Sequence, residues 1–180
     1  MTTRYDRHIV HPKTSKLAIL LSVVAGVVVV AVLVLIYNLR TLTPWEDYTG
    51  TDGSFRVAIP ARPLEESAGH MLYKNQFTDF MCVDRVPLAA DVAPEFAFLA
   101  EQTQVVARCR GKLIYERDLD VGGCKAHEFQ VERPIPMAAR VTARLIATKT
   151  SLWIVSCDIV EGPGADEDAR HFIDSFKILK

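Results

Sequence analysis

Residues 17–36, LAILLSVVAGVVVVAVLVLI, run for twenty positions without a charge and with a single hydroxyl, Ser22. A helix rising about 1.5 Å per residue turns such a run into roughly 30 Å, the depth of a bilayer's hydrocarbon core. The run predicts a transmembrane helix over 17–37 with the lipid bilayer as its solvent and Tyr37 at one interface. It also divides the chain into a basic tail (1–16), a stalk (38–53) and one folded domain (54–180).

Charge gives the orientation. The tail holds Arg4, Arg7, Lys13 and Lys16 against Asp6, whereas Arg40 is the only cation in the fifteen residues after the run. The positive-inside rule places the N-terminus in the cytoplasm and the domain outside it, in the cell membrane's extracytoplasmic space. A cleaved signal peptide would have a shorter apolar core and a small-residue cleavage site; 37–40, YNLR, offers none, so the reading is a signal-anchor. The chain's net charge is −1; the tail carries +3 and Arg40 one more, which leaves residues 41–180 at −5. An acidic domain lacks the basic surface that nucleic acid requires, and no nucleic-acid partner is expected. His8 and His11 in the tail have no further ligand nearby. Ala18, Ser22 and Gly26 recur every four residues, a small-residue row that would let a second copy of the helix approach.

In the stalk, Pro44 ends the helix, Trp45 and Tyr48 are expected at the membrane interface, and 49–53 has turn chemistry. The domain then opens with a period-two strand, 55–59, ended by Pro60. A loop follows, then strands over 71–76 and 80–86 about a turn at Thr78-Asp79. A helix comes next, with Asp91 as N-cap, Pro94 in its first turn, Gly111 as its stop and a buried stripe of Phe96, Leu99, Ala100, Thr103, Val106 and Ala107. Strands over 113–119, 124–131, 140–148 and 152–160 have short connections and form an antiparallel meander. In the third, Val141, Ala143, Leu145 and Ala147 should meet a helix, while Arg140, Thr142 and Arg144 meet water or a second layer. The last helix, from Ala165, buries Ala165, Ala169, Phe172, Ile173 and Phe176, with Asp166, Glu167 and Asp168 at its dipole's positive end. The fold class is α+β: an antiparallel β-sheet flanked by helices, preceded by one N-terminal transmembrane helix.

Two stretches carry a family resemblance: Trp45, Tyr48 and 52–60, DGSFRVAIP, at the start, and 170–178, RHFIDSFKI, at the end. With the strand pairs between them, the domain resembles the PsbP/DcrB-like superfamily of small exported or anchored proteins. The family's Gly-x-Glu in the middle strand pair is replaced here by Ala126-His127-Glu128. The resemblance implies a sheet flanked by helices and brings no catalytic residues.

The residues themselves name no reaction. No H-E-x-x-H, G-x-S-x-G, P-loop or G-x-G-x-x-G is present. His127 and Glu128 are adjacent on a strand and point to opposite faces. His70 and His171 stand apart, in loop and helix. No catalytic, cofactor-binding or metal residues are expected. Cys82, Cys109, Cys124 and Cys157 are an even set outside the cytoplasm, which admits a disulfide. At most one is expected, involving Cys82. Cys109 and Cys124 sit at opposite ends of a strand, over about 20 Å apart, and cannot bridge. The expected function is a non-catalytic domain that binds or assembles a protein partner at the membrane surface. The alternatives are an accessory subunit of a membrane enzyme, a weak hydrolase, or a structural stalk protein of the envelope.

Overall fold

Period-two alternation dominates the chain beyond residue 45, and it builds two antiparallel sheets. The structure is a computed structural model that describes residues 16–41, 44–74, 80–134, 138–160 and 164–179. Two units emerge, Met1–Leu42 and Thr43–Lys180.

The first unit contains α1 (Lys16–Thr41), a helix of 26 residues. Its described aliphatic side chains, such as Val27 and Leu21, are exposed. Among the described residues no helix is long and apolar enough to cross a membrane. Within α1 the longest unbroken run of described side chains is 21–32. In the small-residue row, a Cβ added at Gly26 would meet nothing within 4 Å, and the side chain of Ala18 lies outside the described residues.

In the second unit the strands are β1 (Glu46–Thr49), β2 (Phe55–Ile59), β3 (Glu65–Ser67), β4 (His70–Lys74), β5 (Phe80–Pro87), β6 (Lys112–Val121), β7 (Cys124–Arg133), β8 (Ala139–Ala147), β9 (Ser151–Val160) and β10 (Lys177–Ile178). The helices are α2 (Pro94–Cys109) and α3 (Ala165–Ser175). A small sheet has the order β1-β2-β10 and a seven-stranded sheet the order β3-β4-β5-β9-β8-β7-β6. The expected meander is present as β6 to β9. The turn expected at Thr78-Asp79 lies outside the described residues.

Several expectations are corrected. The stalk over 38–53 contains β1, whose Tyr48 pairs with Val57 of β2, so the domain starts before Ser54. Trp45 is not committed to a lipid interface: its ring meets His171 of α3 edge-on, with centroids 4.5 Å apart. The loop after Pro63 holds β3, which pairs with β4 across Gly69. Gly69 has φ +72°, a conformation that suits glycine.

The stripe of α2 is also corrected. Phe98, Gln102 and Val105 are buried, whereas Phe96 and Leu99 are 72% and 59% exposed. The two stripes share a 3.6-residue period and differ in direction by about 140°. A glutamine disguised the true one: the amide of Gln102 donates to Glu116 Oε2 at 2.7 Å and can therefore stand inside. Asp91 does not cap this helix. The N-cap is Ala93, and Pro94 at the first position removes an N–H that would otherwise need an acceptor. At the other end Arg110 takes the left-handed conformation, φ 47°. Gly111 is required by close approach, because a Cβ there would lie 2.5 Å from the Glu132 carbonyl oxygen.

The large sheet is covered on both faces. On one, Phe172, Ile173 and Phe176 together with Phe55 and Val57 pack over Met81, Val83, Ile146, Trp153, Val155 and Cys157. On the other, Phe98 and Val105 of α2 cover Phe129, Val131, Val141, Ala143 and Leu145. Each buried Val, Leu, Ile, Phe or Met among them contributes about 1.5–3 kcal/mol relative to exposure. The exposed long edge, β6, is blunted by Lys112, Glu116, Arg117, Asp118 and Asp120 and by an irregularity between Leu113 and Tyr115.

Candidate binding groove

The register β6-β7-β8 sets Arg117 opposite Glu128, and Glu128 opposite Arg144. All three therefore project from one face, and α3 borders them. Glu128 and Arg144 are each 8% exposed. Arg144 reaches Glu128 through Nε, 2.8 Å from Oε2, and through Nη2, which also contacts Oε2. The same guanidinium donates to Asp174 Oδ1 at 2.7 Å and to the carbonyl oxygen of Ile173 at 3.2 Å. Arg117 Nη2 donates to the other oxygen, Glu128 Oε1, at 2.8 Å. The network closes charge against charge and ties the last turn of α3 to the sheet. That is what lets a buried pair offset its desolvation.

This network floors a groove of about 260 Å³, with Tyr115, Gln130, Thr142 and Arg170 on its walls. Three guanidinium groups face two carboxylates there. Arg170 has no ion pair among the described residues. Both oxygens of Glu128 accept from guanidinium groups, so Glu128 is not a free base. The groove can hold an anionic or hydrogen-bonding group, and it presents no activated nucleophile.

His127 points to the opposite face from Glu128. Its ring stacks on Phe98 with centroids 5.9 Å apart, and its Nδ1 lies 2.7 Å from Asp118 Oδ1. The shallow pocket it helps to line contains no Ser, Thr or Cys.

Compared by sequence, the chain matches no family model and no curated protein. Compared by structure, it is similar to the cyanobacterial PsbP (CyanoP) of Synechocystis, with TM-score 0.55 and 10% identity, covering 77% of this chain and 94% of that one. It is also similar to LpqN of Mycobacterium tuberculosis, described as involved in cell envelope biogenesis, with TM-score 0.51 and 12% identity, covering 76% and 91%. The domain shares its fold with these two proteins.

Glu128, one of an adjacent His-Glu pair in the sequence, is the anion of a buried network. The sequence reading placed Arg144 on its strand's second face but gave neither it nor Asp174 a role. The only available signal was a strand whose second face carried two arginines beside a threonine. His70 is likewise not a solvated loop residue: it opens β4, where its Nδ1 lies 2.6 Å from Asp84 Oδ1 on β5. Cys82 Sγ donates to Asp84 Oδ2 at 3.1 Å. Burial first, then the charge and hydrogen bond of Asp84, push the Cys82 thiol well above its ordinary range. Donor atoms of His70, Cys82 and Asp84 all lie within 4.8 Å of one another. The four cysteines are free thiols. Cys82 pairs with Ser156 and Met81 with Cys157, so Cys82 and Cys157 face opposite sides of the sheet.

Proposed function

We propose that this chain is a single-pass membrane protein that presents its PsbP-like domain outside the cytoplasm and binds a protein partner there without doing chemistry on it. The observation that carries the reading is the state of Glu128. The buried carboxylate at the groove floor is fully engaged by Arg117 and Arg144, while Arg170 stands ready at the rim for an external anion. A carboxylate side chain of a partner segment fits that arrangement, since guanidinium groups bind carboxylates through directed, charge-assisted hydrogen bonds. The fold neighbours support the same direction: they are a PsbP protein and an envelope-biogenesis protein. The uncharged run 17–36 and the cations before it support anchorage with the N-terminus in the cytoplasm. Anchorage raises the effective concentration of the domain near other membrane proteins, so modest affinity suffices.

The test is photo-cross-linking in intact membranes from a reactive residue placed at Tyr115, beside the groove. Capture of one defined protein, lost in Arg170→Glu, is expected. Protease added outside spheroplasts should degrade the domain; cleavage only after lysis would overturn the orientation. A phenotype abolished by His127→Ala in a domain that remains folded would overturn the non-catalytic reading.

A further inference from the structure

We propose that His70, Cys82 and Asp84 form a binding site for one zinc-type divalent transition-metal ion, with the fourth position open to water or to a ligand from outside. The placement follows from strand register. β4 and β5 pair His70 with Asp84 and Leu72 with Cys82. Side chains two apart on a strand share a face, so Cys82 and Asp84 project together, and His70 projects beside them from the neighbouring strand. The imidazole nitrogen, the thiol sulfur and the carboxylate oxygens converge within 4.8 Å.

The separations bracket those around a tetrahedral ion. With metal–nitrogen and metal–oxygen bonds of about 2.0–2.2 Å and a metal–sulfur bond of about 2.3 Å, ligand atoms stand roughly 3.4–3.6 Å apart. The present contacts are 2.6 Å for His70 to Asp84 and 3.1 Å for Cys82 to Asp84. An ion entering between them needs the two short contacts to part by up to about 1 Å and any separation near the 4.8 Å limit to close by about as much, movements of the size a side-chain rotation supplies. The two short contacts hold all three side chains in converging orientations beforehand.

The donor set selects the ion. One thiolate and one imidazole favour zinc, cobalt, nickel or copper over the oxygen-seeking magnesium and calcium. Three protein ligands with an open position are the pattern of a reactive or exchangeable centre; a closed structural one has four. Access agrees: the side chains of His70 and Asp84 are 32% and 40% exposed, so the ion can enter from solvent. After Asp84 itself, Arg108 at the end of α2 and then Glu65 on β3 are the charges that act on the Cys82 sulfur. Glu65 pairs with Leu72, which places it on the same face as the cluster. The site is separate from the arginine groove, which lies on the other face of the sheet.

The experiment titrates the full chain in detergent micelles with Co²⁺, whose thiolate complexes show a sulfur-to-metal charge-transfer absorption, and competes it with Zn²⁺. One equivalent is expected, with that absorption, displaced by Zn²⁺. Cys82→Ser should abolish the absorption. His70→Ala and Asp84→Asn should weaken binding at least about 100-fold, the upper end of what loss of an outer-shell partner alone causes. Asp84→Asn preserves shape and a hydrogen-bond acceptor for Cys82, so it reports on ligation even if another variant is poorly folded. A variant carrying His8→Ala and His11→Ala should bind as the parent does. Absence of the thiolate absorption, binding unchanged in Cys82→Ser and Asp84→Asn, or binding lost with the tail histidines would each overturn the proposal.

Discussion

Replacing Glu128 by leucine should cost the domain about 2–3 kcal/mol, and restoring apolar character at Arg144 should recover most of it. Removing one partner of a buried ion pair typically costs about 3–5 kcal/mol, because the other charge is stranded. Here the stranded group is Arg144, 8% exposed. It keeps two acceptors, Asp174 Oδ1 at 2.7 Å and the Ile173 carbonyl oxygen at 3.2 Å, and these reduce the penalty. Asp174 has a side chain 65% exposed and can compensate only partly, since solvent screens that pair. Arg117 is 53% exposed and can return to water once Glu128 is gone. The double variant Glu128→Leu, Arg144→Met strands no buried charge and fills a similar volume. It should lie within about 1 kcal/mol of the parent.

The assay is urea unfolding of residues 43–180 followed by circular dichroism. With a slope of about 2 kcal/mol/M, the single variant's midpoint should fall by about 1–1.5 M and the double variant's by less than about 0.5 M. A double variant as unstable as the single one would refute the reasoning. It would mean that Arg144 acts through its contacts to α3 and not as the counter-charge of Glu128.

Other outcomes follow from packing and titration. Phe98→Ala should cost about 3–5 kcal/mol in the same unfolding assay, while Phe96→Ala stays within about 0.5 kcal/mol; reversed values would place α2 in the phase its sequence suggests. Gly50→Ala should destabilise by about 1–3 kcal/mol because its Cβ would clash with the Phe55 ring, and thermal melting would show it. Tyr48 is pushed up to about 12, by burial first and then by its hydrogen bond to Glu66 and that group's charge. The neutral phenol is thus favoured by folding, so its contribution is complete below the unfolded value of about 10 and is lost as pH rises through about 12. Tyrosinate absorbance should show a late-titrating tyrosine that moves part of the way back in Glu66→Gln, and no movement would contradict the Tyr48–Glu66 contact.

The strands were legible because alternation is a local property. Val141, Ala143, Leu145 and Ala147 could face only a covering helix, and α2 covers the first three. The stripe of α3 was legible for the same reason, with Ala165, Ala169, Phe172 and Ile173 buried as their spacing requires. What the sequence hid depends on pairing between distant segments. β1 and β10 are four and two residues long, and each exists only because β2 lies beside it. Gln102 is polar and was passed over, yet Glu116 satisfies its amide from another element. Glu128 and Arg144 are sixteen residues apart in sequence and meet only through the β7–β8 register. His70 and Asp84 meet in the same way on β4 and β5.

The positions of both polar clusters follow from a shortage of helices. A seven-stranded sheet is wider than one helix, and each face here receives one long helix. On the first face α3 and the small sheet cover β4, β5 and β9, and at the border of α3 on β6, β7 and β8 the polar residues Arg117, Glu128 and Arg144 gather. On the second face α2 covers the β7 and β8 side, and the corresponding residues of β4 and β5 remain beyond it; there His70, Cys82 and Asp84 gather. Period-two alternation forces every strand to present residues to both faces, so an uncovered half must carry polar side chains. Those side chains stand about 5 Å apart across paired strands, close enough to satisfy one another or to share a ligand. The arrangement therefore yields two separate polar sites on opposite faces. A change at one, such as Arg170→Glu, should leave binding at the other unaltered, because the two have no residue in common.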